Sequence, residues 1–164
     1  MITINLLQNK DIERCLEIYN YYIKNTCFTL EEDELSLEAF RTRVGDITKK
    51  YPFIVAHDEN GNVIGYAYLN VFNERSAYCH TADLSIYVDS HHTHAQIGEK
   101  LLLETEKLAR EYEITNLISI ITESNEGSVR FHEKHGFIRE GNIHDIAIKF
   151  GKTLGIYFYR KKLI

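Results

Sequence analysis

The sequence predicts an α/β fold of the α+β type: a mixed, mostly antiparallel central sheet with helices on both faces, in the order β-α-α-β-β-β-α-β-α-β-β. Three observations carry that prediction. Runs with the apolar pattern of strands interleave with runs whose apolar residues recur every three or four positions, the period of helices. The tetrad Asp58-Glu59-Asn60-Gly61 between two strand-like runs is a hairpin signal. No internal repeat and no Pro/Gly/Ser-rich linker divides the 164 residues, and Pro52 is the only proline, so one domain spanning 1–164 is expected.

Residues 2–6 alternate and open the sheet. Ile12, Cys15, Leu16, Tyr19 and Ile23 then keep helical spacing, with Asn9 or Asp11 as the candidate cap. A second helix starts near Ser36 and carries Leu37, Phe40, Val44 and Ile47 on one face. Residues 53–56 and 63–69 are the hairpin strands, and residues 77–88 form a long third one. Polar residues 90–96 read as a loop, after which Ile97, Leu101, Thr105 and Leu108 line a helix. Residues 116–122 have the apolar density of a buried strand. Ser124 or Asn125 caps a short helix that Gly136 stops, and strands near 137–148 and 154–162 close the chain.

Composition excludes several function classes. The formal charge is −5 with scattered lysines and arginines, whereas a non-specific nucleic-acid binder needs a cationic surface to displace counterions. The most apolar stretches, such as 117–121, are too short to span a bilayer. Met1 leads into Ile-Thr-Ile-Asn without the basic and apolar segments of an export signal. Three scattered cysteines, Cys15, Cys27 and Cys79, argue for a reducing compartment and against disulfides or a zinc site. A cytoplasmic protein with no membrane and no nucleic-acid partner is the expectation.

Three segments can carry chemistry. The strand from Thr81 to Val88 runs through a loop into a helix start at Gly98, where free amides and the helix dipole suit a phosphate; a single glycine near a helix start is also common. Asp83 sits mid-strand among apolar residues, so burial would raise its pKa and make it a proton acceptor for an attacking amine. A structural aspartate that accepts backbone amides explains it as well. Asn125, Ser128 and His132 fall on one side of the short helix, placing His132 to protonate a leaving thiolate or to pack. The run His91-His92-Thr93-His94 has no carboxylate or cysteine placed to complete a metal shell, so no metal is expected.

Taken in order, these pieces resemble the GNAT superfamily of N-acetyltransferases, and within it the phosphinothricin N-acetyltransferase branch. The resemblance rests on Ile18-Tyr19-Asn20, Gly65-Tyr66-Ala67-Tyr68, Arg75-Ser76-Ala77-Tyr78, Thr81-Ala82-Asp83, the segment from Phe131 to Phe137, Glu140-Gly141 and Lys149-Phe150-Gly151. It implies the GNAT fold and acetyl-CoA as co-substrate, with backbone groups of Ile86, Tyr87 and Val88 on the pantetheine arm. Thr93, His94, Ala95, Gln96, Ile97 and Gly98 would cradle the pyrophosphate, and Asn125 would reach the pantetheine. Asp83 takes the place of the family's general base, usually glutamate, and His132 that of its thiolate-protonating residue. Leu30, Arg75, Ala77 and Tyr78 would border the acceptor, a small amino-acid-like amine of the phosphinothricin or methionine sulfoximine class. A homodimer is implied too. The chain departs from the family pattern at Thr93 and Gln96, where it usually has a cationic or amide residue and a glycine, and at Thr153 and Gly155. A non-catalytic ligand-binding or sensor protein with a degenerate CoA loop is the alternative that this altered loop suggests.

Overall fold

The apolar runs over residues 53–57 and 63–71 become, in the computed structural model, the second and third strands of a seven-stranded sheet; the structure describes residues 1–92 and 95–164. The strands are β1 (Thr3–Leu6), β2 (Phe53–His57), β3 (Val63–Val71), β4 (Thr81–Val88), β5 (Asn116–Thr122), β6 (Ile138–Lys149) and β7 (Lys152–Lys162). They lie in the order β1-β2-β3-β4-β5-β7-β6, with β4–β5 the parallel pair in an otherwise antiparallel sheet. The helices are α1 (Ile12–Asn25), α2 (Leu37–Thr48), α3 (Ala95–Glu111) and α4 (Glu126–Lys134). The mixed sheet and the order of long elements are those the sequence predicts.

Period-two alternation sends neighbouring side chains to opposite layers. Phe53, Val55 and Tyr66 pack against Tyr19 and Ile23 of α1 and Phe40 of α2, whereas Ile54, Ala56 and Ala67 pack against Ile97 and Leu101 of α3. A third cluster joins Leu84 and Leu117 to Leu102 of α3, with Phe131 of α4 against it. Helix ends follow the expected chemistry in two places. Ser36 Oγ accepts from the Ala39 amide at 3.1 Å, and Asn125 Oδ1 from the Ser128 amide at 3.2 Å. Gly136, at φ +89°, ends α4.

Three local expectations are corrected. Asp11 stands at the N-cap position of α1 but makes no side-chain cap bond: its carboxylate accepts the Gln8 amide at 2.9 Å and faces His57 Nε2 at 3.0 Å. The strand expected over 77–88 begins at Thr81, because Tyr78 and Cys79 turn their amides onto the Arg75 and Ser76 carbonyls. The loop expected over 90–96 contains a 3-10 turn, Ser90–His92, and α3 already starts at Ala95. Of that stretch, Thr93 and His94 lie outside the described residues.

The β6–β7 hairpin turns through Phe150 (φ 52°) and Gly151 (φ 71°), and its tip reaches the α1–α2 loop. There the Lys149 ammonium, almost wholly buried, donates to the Thr29 carbonyl at 2.8 Å. From β5, the Thr122 hydroxyl donates to the Cys27 carbonyl at 2.8 Å. These two bonds hold the loop that carries Phe28 over the sheet.

Candidate active site

β4 and β5 pair at only three positions, Thr81–Asn116, Ala82–Leu117 and Asp83–Ile118. Beyond Asp83 the two strands part. Hydrogen bonds at either end fix which main-chain groups face the gap. The Asp89 amide donates to the Ile64 carbonyl, so by antiparallel alternation the main chain of Asp83, Ser85 and Tyr87 is engaged with β3. The main chain of Leu84, Ile86 and Val88 therefore points towards β5. The Asn116 amide donates to the His80 carbonyl, which by the same alternation turns Ile118 and Ile120 towards β4 and Ser119 towards β7. Past the third pair, no described strand meets the amides of Ile86 and Val88. The Val88 carbonyl accepts from the Tyr22 hydroxyl.

The gap is a cleft of about 340 Å³. Residues 84–88 form one wall; Ser119, Ile120 and Ile121 form the other; Asn125, Ser128 and His132 of α4 close one end, and Tyr22 with Phe28 cover it. Ser119 is 2% exposed, and its hydroxyl has no hydrogen-bond partner among the described residues. Gly98 comes close to α4: a Cβ there would lie 3.3 Å from the Phe131 ring, so helix packing as well as ligand approach requires the glycine.

Two titratable groups flank the fork and are perturbed by the same cause. Burial pushes the Asp83 carboxyl up to about 6. It also pushes His132 down to about 4. His132 Nδ1 lies 2.7 Å from the Ser128 carbonyl, which can only accept, so Nδ1 carries the hydrogen and Nε2 is left as an acceptor. Near neutrality the site thus holds a carboxylate and an uncharged imidazole.

The structure brings Ile86, Tyr87, Val88, Gly98, Asn125 and His132 to the cleft. Asp83 stands at its root, where the last β4–β5 pair closes. The Tyr87 amide is engaged with Tyr66 on β3 and does not face the gap. Ile97 packs in the core beneath α3 and does not line the cleft. Gln96 is an exposed residue of the first turn of α3 and does not plug the opening. Ala95 begins that turn. Arg75, Ala77 and Tyr78 lie exposed on the β3–β4 connection, outside the cleft lining, as does Leu30 of the α1–α2 loop. Phe28 lines the cleft instead. Tyr22, Ser119 and Ile120 escape sequence reasoning: each has the character of an ordinary sheet or helix residue. No group of three or more metal-ligating side chains occurs among the described residues, and Asp89 engages His91 and His92 at 3.3 and 3.1 Å.

The cleft fits an acyl-pantetheine arm. Its unspent amides lie along a strand direction, where an amide-bearing chain can pair, and a buried hydroxyl awaits a partner. Comparison with known proteins gives the same direction. A family profile described as "Acetyltransferase (GNAT) domain" matches residues 4–154. A Bacillus subtilis (strain 168) protein named as a candidate phosphinothricin acetyltransferase, YwnH, is 32% identical over 162 residues, covering 99% of each chain. Among solved structures, a phosphinothricin acetyltransferase from Sinorhizobium meliloti in complex with AcCoA superposes with a TM-score of 0.95 at 31% identity, covering 99% of this chain and 88% of that one. A ribosomal-protein-alanine N-acetyltransferase from Brucella melitensis superposes with a TM-score of 0.94 at 31% identity, covering 98% and 99%.

Proposed function

Because the chain belongs to the acetyltransferase (GNAT) family, we propose that it moves an acetyl group from acetyl-CoA to the primary amine of a small, amino-acid-like acceptor. The observation that carries this reading is the pair of unspent amides, Ile86 and Val88, beside a desolvated carboxylate at Asp83. Acetyl-CoA supplies the acetyl group on a thioester.

Each residue then has a role. The Val88 amide holds the pantetheine arm in the strand direction, and the Ile86 amide, nearer Asp83, polarises the thioester carbonyl. Asp83 takes the amine proton through water; with a pKa of about 6 it is mostly ionised at pH 7 and still basic enough to serve. His132 Nε2 is a hydrogen-bond acceptor for the arm or for water. The first turn of α3, through Gly98, faces the diphosphate with the amides that no helical carbonyl uses. Arg75 on its exposed connection receives the acceptor's anionic group, with Ala77, Tyr78 and Leu30 beside it.

Thiol release from acetyl-CoA, measured with phosphinothricin, methionine sulfoximine, methionine sulfone and a peptide beginning with alanine, tests the reading. Turnover of the free amino acids supports it. Turnover of the peptide alone would move the acceptor to protein N-termini, the reading favoured by the likeness to the Brucella melitensis enzyme. No turnover, together with no calorimetric binding of acetyl-CoA, would leave only a non-catalytic sensor. We extend the proposal to a homodimer. Edge strand β6 and its turn expose Ile138, Ile143, Ile146, Ile148 and Phe150, and a second copy would cover them. Light scattering that gives a monomer at micromolar concentration would remove this extension.

A further inference from the structure

We propose that the Ser119 hydroxyl grips the sulfur of the bound thioester, donating a hydrogen bond that strengthens as the sulfur becomes a thiolate. This deepens the acetyl-CoA reading and rests on it. The argument begins with an anomaly: a buried hydroxyl without a partner costs free energy in the empty protein, and such groups are rare unless something else satisfies them. Ser119 pairs its main chain with Tyr159 on β7 and lines the cleft on the β5 side. In the register that ends at Asp83–Ile118, Ser119 is the next residue on β5, directly at the fork. An arm held by Val88 and Ile86 points its reactive end to that fork, because Asp83 stands there.

Three other polar side chains of the cleft are engaged or lack a free donor. The Tyr22 hydroxyl donates to the Val88 carbonyl, Ser128 Oγ lies 3.2 Å from His132 Nδ1, and His132 offers an acceptor where a sulfur needs a donor. Ser119 supplies the donor. In the transfer the C–N bond forms as the C–S bond breaks, and the electron pair of that bond stays on sulfur. The amine proton leaves towards Asp83 through water. Ser119 keeps its own proton throughout, and the released thiolate is protonated by water.

Ser119→Ala and Ser119→Thr, each purified as the full chain, test the assignment by three measurements. Thermal melting of Ser119→Ala is expected to match or exceed wild type, since the variant loses a buried, unpaired hydroxyl. Its kcat is expected to fall about 10- to 100-fold, the size of a hydrogen bond to a charged atom, with Ser119→Thr restoring most of it. Calorimetry with CoA and with desulfo-CoA reads the contact without turnover: wild type prefers CoA, and Ser119→Ala loses the preference. If Ser119→Ala keeps both kcat and that preference while wild type binds CoA, the serine assignment is overturned and the acetyl-CoA reading stands. If wild type binds neither CoA nor desulfo-CoA, the acetyl-CoA reading itself falls, and the serine assignment with it.

Discussion

Along β4 the cleft is built from main chain, the amides of Ile86 and Val88, whereas β5 and α4 across from it present the side chains of Ser119, Asn125 and His132. The main-chain wall exists because β5 leaves the ladder after three pairs, and substitutions that keep the strand leave it in place. The side-chain wall depends on residue identity at single positions. Each wall also meets one titratable group that burial drives towards its neutral form: Asp83 at the root of β4 and His132 on α4. The same desolvation yields opposite states at pH 7, because a carboxyl raised to about 6 still ionises and an imidazole lowered to about 4 does not charge. The contrast teaches that burial alone can leave a carboxyl ionised and an imidazole neutral at the same pH.

The largest break in this contrast is Asp83→Asn, expected to lower kcat by about 10²–10⁴-fold at pH 8 while acetyl-CoA affinity, measured by calorimetry, stays within a few-fold. Equal loss of both would place Asp83 in cofactor binding instead. For wild type, kcat/KM is expected to rise through about pH 6 as Asp83 ionises in the free enzyme, with no descending limb between pH 6 and 8. A descending limb there would mean that an imidazolium acts, and would overturn the neutral state of His132.

Stability carries the same signature with signs that can be checked. Asp83 has a folded pKa above its unfolded value, so its contribution is full below about pH 4 and is lost as pH rises through 6. Asp83→Asn should therefore be more stable than wild type at pH 8, by at most about 3 kcal/mol in urea denaturation. His132 runs the other way: its folded pKa is depressed, so stability is lost as pH falls from 6.5 through about 4. In the Asp83→Asn background that loss should show without the opposing change. Smaller still is Gly98→Ala, whose added methyl meets the Phe131 ring at 3.3 Å; about 1–2 kcal/mol of destabilisation is expected, with a narrower cleft and a raised KM for acetyl-CoA. Tyr22→Phe closes the series. It frees the Val88 carbonyl and should cost about 1 kcal/mol in a melt.

Much of the fold is written locally. Ser36 and Asn125 cap where their positions before apolar periodicity say they should, and Gly136 stops α4 for want of a side chain at positive φ. Asp83 and His132 are legible because a carboxylate in an apolar strand and a histidine facing a cleft each demand a reason. What is illegible depends on contacts distant in sequence. Residues 77–80 have the composition of a strand, and only the turn at Arg75 and Ser76 withdraws them. Ile86 and Tyr87 differ in which neighbour their amides face, a parity set by the pairing of Asp89 with Ile64. Ser119 is one serine in an apolar run, and its lack of a partner appears only once β4 has left its side.

The three-pair parallel ladder also has a meaning for biosynthesis. Hairpins such as β2–β3 close over short spans, but Asp83 cannot meet Ile118 until the crossover containing α3 has been made, and such long-range pairings form late. A nascent chain therefore displays all of β4 as a bare edge, open to mispairing with other chains. A molecule that occupied the remaining bare stretch would act as a folding aid as well as a reactant, and cellular yield would track its supply.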